Sequence, residues 1–409
     1  MPYYRRNVYI LSVTVFLASL SWQQIMPFLP MFLKQIGGGG RHLNMWVAVV
    51  FATQALAAII MQPFWGKLGD THGRKPMIIR AGICLAGVYF LMSLCHAPWQ
   101  LVVCRFLNGA LTGFIPGSFA LIATNTPEEE APKAMATVQA ASNVGQILGP
   151  VIGTALAVAL GYRGSMRLSG AAVLISTLVV LWLVKEPNKV AMIEKTSLIE
   201  DFGIALRSKV QSSVMLIVML SWAYGTAIAP FLILHLNTLD MSAPSWLLTV
   251  TRALHLPSLN HWLPAVIFSL PAAAFVFTAR RWTEVGSKKG YAWTIMVGMI
   301  GGGLGAVALF FTHSIWLFAL IYLTTGICTA TLGPSIAAIT CTKVEESFRG
   351  RAYGIQQSAG TIGSLLAPLA AGFISTTWGR PWIFPFIGVL FLTGALAFRR
   401  MAGRWGKEA

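Results

Sequence analysis

The chain has 409 residues, 56% of them apolar and only 11% charged, with a formal charge of +17. Soluble domains carry roughly 25% charged residues. Here the apolar residues form runs of about 20, the length that crosses the hydrocarbon layer of a bilayer, instead of recurring at amphipathic spacing, which excludes a soluble globular domain.

The runs predict twelve membrane-spanning helices, over 8–33, 45–64, 77–95, 99–123, 135–160, 168–185, 210–236, 260–279, 291–312, 315–341, 352–377 and 381–398. Twelve spans put both termini on one side. The first run carries Pro27 and Pro30, is too long for a cleavable signal and lacks a small-residue cleavage site, so it is expected to stay in the mature protein. Most of the 30 lysines and arginines fall in loops on the side of the termini. Lys34, Arg41, Arg163, Arg167, Arg252 and Arg380 fall on the other side, and Arg105 lies within a span. The positive-inside rule then expects both termini in the cytoplasm, in a bacterial inner membrane. The basicity is assigned to topology and anionic headgroups, with no nucleic acid as partner.

Between the second and third spans the chain reads GKLGDTHGRK, Gly66 to Lys75. Gly66 and Gly73 permit tight backbone, and Asp70, Arg74 and Lys75 are placed at the membrane surface. An aspartate there stabilises a facing helix N-terminus by about 0.3–1 kcal/mol, which suits a conformational latch. The alternative is a turn that only sets topology.

Arg105 in the fourth span costs about 2.5–3.5 kcal/mol on insertion scales, so it has a partner or a job. Asn108 and Thr112 follow on its helical face, and Gln23 and Gln24 of the first span offer acceptors. A structural role and a role in substrate binding or proton coupling both stay open. In the fifth span Gly145, Gly149 and Gly153 line one stripe that permits close helix approach, and Pro150 favours a bend. Gln139, Asn143 and Gln146 line a neighbouring stripe, which suits either a substrate cavity or interhelical hydrogen bonds.

A polar stretch over 186–209 divides the chain into bundles of six spans, 1–185 and 210–409. In the second bundle Tyr224, Tyr322, Gln356 and Gln357 are amphipathic groups inside apolar helices, suited to small-molecule recognition or to packing. All 13 acidic residues fall in predicted loops or termini. The titratable candidates for coupling are therefore Arg105, His235 near the outer end of the seventh span, and Asp240 just beyond it. The connection 237–259 is long, and Trp246, Leu247, Val250, Ala253 and Leu254 keep helical spacing between Pro244 and Pro257. That predicts a short interfacial helix, as membrane anchor or as lid. The 5 cysteines form no CxxC spacing and are read as reduced packing thiols, with no metal site and no cofactor. With no phosphate-binding loop and no nucleophile beside a base, neither an enzyme nor ATP-driven transport by this chain is expected.

The two halves echo each other. GxxxGPxxG at Gly145–Gly153 returns as GSLLAPLAAG at Gly363–Gly372, and RFLNGALTGFIPGS after Arg105 returns as YLTTGICTATLGPS from Tyr322.

GKLGDTHGRK resembles the major facilitator loop signature GxLxDrxGrR/K, departing only at Thr71. CRFLNGALTG resembles the Arg-x-x-x-Gly motif of that family's fourth helix, and GQILGPVIG its antiporter glycine-proline motif. With MPFLP at Met26–Pro30 and PFWGKLGD, the segment 20–160 is similar to twelve-helix drug:proton antiporters, especially bacterial multidrug efflux proteins. The resemblance implies an all-α membrane protein of the major facilitator fold, with two pseudo-symmetric six-helix bundles and a substrate site between them near mid-membrane. It implies a monomeric secondary transporter that exports drugs, or an endogenous metabolite such as a siderophore, by alternating access with protons as the coupling ion. It also implies that Asp70 faces the start of the eleventh helix, near Gly350–Gly354, and locks the outward-facing state. Thr283 stands where the second half would carry that aspartate. An arginine without a membrane carboxylate favours anionic or zwitterionic ligands, so the alternatives are an uptake permease or facilitator for such a solute, or a lipid translocator.

Overall fold

Inside a bilayer no water bonds the backbone, so an apolar run must satisfy its own N–H and C=O groups as a helix. The computed structural model describes residues 2–127, 129–187, 198–242 and 259–403. Among the described residues the chain is helical throughout, and the only strand-like pairing is a single bridge between Asp240 and Ser314.

The chain divides into two compact units, Met1–Trp46 with Thr53–Glu194 and Ser245–Ser269, and Val47–Ala52 with Lys195–Pro244 and Leu270–Ala409. The helices up to the predicted linker are α1 (Tyr3–Ile25), α2 (Leu29–Leu33), α3 (Leu43–His72), α4 (Arg74–Ser93), α5 (Pro98–Leu111), α6 (Phe114–Asn125) and α7 (Ala131–Leu183). The rest are α8 (Leu198–Arg207), α9 (Lys209–Leu236), α10 (Leu259–Lys289), α11 (Tyr291–Phe310), α12 (Ile315–Thr329), α13 (Leu332–Lys343), α14 (Glu346–Thr377) and α15 (Ile383–Ala402).

Among the described residues, 11 helical stretches are long and apolar enough to cross a membrane. One of them, Lys133–Leu183, has 51 residues and makes two passes, because Gly161 (φ 72°, ψ 166°) breaks it. The result is twelve transmembrane helices in two bundles of six. The loop expected at 161–167 is thus reduced to one glycine, which alone takes that backbone without strain. Other expected spans are broken where they looked continuous. The first stops at Ile25 and restarts at Leu29, because Pro27 and Pro30 withhold backbone donors. The fourth breaks at Thr112 and Gly113, and the tenth at Ala330 and Thr331. Helices also outrun the bilayer. Asp70 lies on α3 and Glu284 on α10, not in loops as expected.

The predicted linker contains α8, whose Ala205 packs with Met215, Ile355 and Ala359. In the first unit the core joins Leu11 and Val15 of α1, Ile78 of α4, Phe114 and Leu121 of α6, and Val138 and Val180 of α7. In the second it joins Ile217 of α9, Met299 of α11, Ile336 of α13 and Phe391 of α15. Large apolar side chains also face outward: Phe277 is 79% exposed and Trp182 75%. In water such a surface would aggregate, whereas in lipid it is the natural exterior. The rim helix expected within 237–259 falls on 243–258, outside the described residues.

The internal repeat is visible in contacts as well as in letters. The indole N–H of Trp65 on α3 donates to the carbonyl of Ala110 at the end of α5, 2.7 Å away. That of Trp282 on α10 donates to Ile327 at the end of α12 at 2.9 Å, and both pairs are 45 residues apart. Gly73 and Gly290, each at the start of a helix after a long one, take φ of 96° and 93°. Each unit therefore repeats the same turn and the same brace, and this register sets Ser287, not Thr283, at the place of Asp70.

Candidate functional site

The GKLGDTHGRK segment builds a helix cap. Gly73 turns the chain into α4, and the first N–H groups of that helix have no partner within it. Glu186, just past α7, accepts from the backbone N–H of Arg74 at 2.6 Å and of Lys75 at 2.9 Å. A side chain at Gly73 would collide with that carboxylate. Gly73, Arg74 and Lys75 thus act with Glu186, a residue that motif reading passed over because it lies 112 positions away. Gly66 stands in open space on α3. Gly350 and Gly354 lie in the first turns of α14, and the side chain of Asp70 is outside the described residues.

On α7 the glycine stripe lies against α1. A Cβ at Gly145 would overlap Phe16, one at Gly149 would meet Gln23 and Leu20, and one at Gly153 would overlap Gln24. Pro150 is buried within the same helix, next to Gly149. Hydrogen bonds run alongside, from Ser19 to Ser142 at 2.8 Å and from Gln24 Nε2 to the Ser165 carbonyl at 3.0 Å. Gln24, expected to line a cavity, therefore glues α1 to the second half of α7, while Gln23 is half-buried. Gln139 is exposed and donates to Asn143 at 2.9 Å along its own helix.

Arg105 is 2% exposed on α5. Its Nη2 lies 3.9 Å from the Met26 sulfur, and its guanidinium stands 5.8 Å from the Trp22 ring. Tyr89 of α4 is near enough to interact with it electrostatically. Asn108, one turn on, is 1% exposed, and neither its Nδ2 nor its Oδ1 has a hydrogen-bond partner among the described residues. The Tyr89 hydroxyl, Ser21 Oγ and Gln54 Oε1 share that condition. A buried amide without partners costs about 1–3 kcal/mol, so a fold keeps one only for a reason. A separate groove of about 540 Å³ runs along α4, lined by Lys75, Ile79, Arg80 and Ile83 among others.

In the second unit Gln356 is buried and donates to Thr340 Oγ1 at 3.0 Å, which bonds α14 to α13, while its neighbour Gln357 is exposed. The Tyr224 ring is tilted against Phe391 with centroids 4.5 Å apart, its buried hydroxyl without a hydrogen-bond partner among the described residues, and the Tyr322 ring lies 5.8 Å from Phe318. His235 is 5% exposed between Phe318 and Phe384, and neither ring nitrogen has a hydrogen-bond partner among the described residues. Asp240 is held by local contacts. Its carboxylate accepts from Ser242, and its backbone pairs with His313 and Ile315.

A family model described as Major Facilitator Superfamily matches residues 11–259 and 231–406. The chain belongs to the Major Facilitator Superfamily. Within it, the chain is 27% identical over 395 residues to multidrug resistance protein MdtG of Enterobacter lignolyticus, covering 96% of this chain and 91% of that one. It is 28% identical over 384 residues to the protein of the same name from Salmonella schwarzengrund, covering 93% and 91%. Among solved structures, nucleoside transporter NupG superposes with a TM-score of 0.78 at 14% identity, covering 97% of this chain and 98% of that one. A bacterial homologue of the human lysosomal transporter Spinster, inward-facing and occupied, gives 0.78 at 16%, covering 99% and 97%. The human organic anion transporter TETRAN gives 0.70 at 17%, covering 97% and 100%.

Proposed function

We propose that this superfamily member is a secondary transporter that exports small molecules by alternating access. The relatives named for multidrug resistance, matched along nearly the whole chain, support export. The single observation that carries the site is the unbonded amide of Asn108 one turn from Arg105, both buried within a membrane span. An incoming carboxylate, phosphate or zwitterion would bond the Asn108 amide while lying beside the Arg105 guanidinium, since Asn offers a donor and an acceptor and Arg a fork of donors. The reading therefore favours an anionic or zwitterionic substrate, with Tyr89 and Ser21 as further partners. His235 stands as the group for proton coupling, since it is buried and neither ring nitrogen has a hydrogen-bond partner among the described residues. Asp240 is left to the scaffold. The charge pattern supports termini in the cytoplasm, and the polar stretch 186–209 supports bundles of 1–185 and 210–409 joined by it.

Counterflow in proteoliposomes with anionic, neutral and cationic compounds tests this, with and without a pH gradient. Arg105→Ala is expected to lower uptake of the anionic compounds at least tenfold, and His235→Ala to remove the response to the gradient. Anionic counterflow that is unchanged in Arg105→Ala would remove the substrate assignment.

A further inference from the structure

Reading the five cysteines as separate packing thiols leaves one contact unexplained. Cys95 follows the last turn of α4 and Cys104 lies on α5, and their sulfurs are 3.7 Å apart with both residues buried. The turn between them is held from two sides. Gln100 accepts from the N–H of His96 at 2.6 Å and of Ala97 at 3.1 Å. From α7, Arg163 donates to the carbonyls of Ser93 and Cys95, each at 2.7 Å. With the backbone fixed, the two thiols are kept in contact, not brought together by chance motion.

We infer that Cys95 and Cys104 are a redox-active pair that closes to a disulfide, tying the third span to the fourth. Closure proceeds by exchange with an external disulfide, from a small thiol compound or a protein oxidant. One thiolate attacks a sulfur of that disulfide and releases one thiol. The second cysteine then displaces the other thiol, so the pair loses two hydrogens and two electrons and the oxidant gains them. The bond restrains the turn of α5 that carries Arg105, the next residue. Under the orientation proposed above, this end faces the oxidising side of the membrane, where disulfides persist.

Full-length protein is treated with oxidised glutathione or with dithiothreitol, denatured, blocked with N-ethylmaleimide and cleaved after Trp99, so that the cysteines fall on separate peptides. Mass spectrometry is expected to find the two peptides joined after oxidation and separate, each with one maleimide at these cysteines, after reduction. Cys95→Ser and Cys104→Ser are expected to lose the joined pair, and only the wild type to melt several degrees higher when oxidised. Equal maleimide labelling after both treatments, or glutathione held on one cysteine without closure, would overturn the pair. Protein blocked directly from cells reports the sidedness. Closure only after added oxidant would overturn the outward placement and leave the dithiol standing.

Discussion

Asn108 allows function and stability to be separated at one residue. Its amide has no partner among the described residues, so Asn108→Leu removes a buried unsatisfied group of similar size. The change is expected to raise the melting temperature, by the equivalent of about 1–3 kcal/mol, while abolishing transport. A variant that melts lower and still transports would make Asn108 a packing residue. Glu186 predicts the opposite combination. Glu186→Gln removes the charge from two N–H groups at the start of α4 and is expected to cost about 1 kcal/mol, read as a lower melting temperature. Glu130 adds a pH dependence. Hydrogen bonds from Arg5 and from the Tyr4 hydroxyl hold its carboxyl below the usual carboxylate value. A depressed folded-state pKa contributes stability above the unfolded value of about 4.3 that is lost as pH falls through the folded one. The melting difference between wild type and Glu130→Gln is therefore expected to be present at neutral pH and to vanish in acid. Exposure keeps it small.

At the scale of the element, glycines separate contacts from open helix. A side chain at Gly109 would overlap the Gln54 carbonyl, whereas at Gly87 it would meet nothing within 4 Å. Gly109→Ala is expected to cost more than about 2 kcal/mol by forcing α3 from α5, and Gly87→Ala to stabilise by about 0.5–1 kcal/mol. Similar melting shifts in the two variants would contradict that packing. The spans were legible because length and hydropathy are local properties of the sequence. The breaks at Thr112–Gly113 and Ala330–Thr331 were not, since they lie inside apolar runs without charge or proline at the break. One signal in the sequence does mark them: Trp65 and Trp282 recur at matching places in the repeat, and each braces such a break. Site residues were legible as types. Whether an amide would be orphaned, as in Asn108, or bonded, as in Gln24 and Gln356, depends on neighbours far away in sequence.

For the whole molecule, the contacts sharpen the charge argument that began with composition. In the first unit Asn7 bonds the backbone of Lys185, Glu186 caps α4, and Glu130 holds Arg5. The starts of α1, α4 and α7 and the end of α7 thus share one face, which carries Arg5, Arg74, Lys75 and Lys185. Three of the cations expected on the opposite side have structural work among the described residues. Arg163 and Arg167 bond Ser93, and Arg163 also bonds Cys95, while in the second unit Arg380 donates to the Leu234 carbonyl. Cations bound to carbonyls brace helix ends, so their presence there does not weaken the asymmetry of the remainder. The positive-inside rule counts basic residues close to the spans, and the excess lies with the termini. A fluorescent protein fused after the last residue is therefore expected to fold and fluoresce, and alkaline phosphatase fused there to be inactive. Fusions truncated at His313 are expected to reverse both results. Active phosphatase at the C-terminus would invert the molecule in the membrane and place Cys95 and Cys104 on the reducing side.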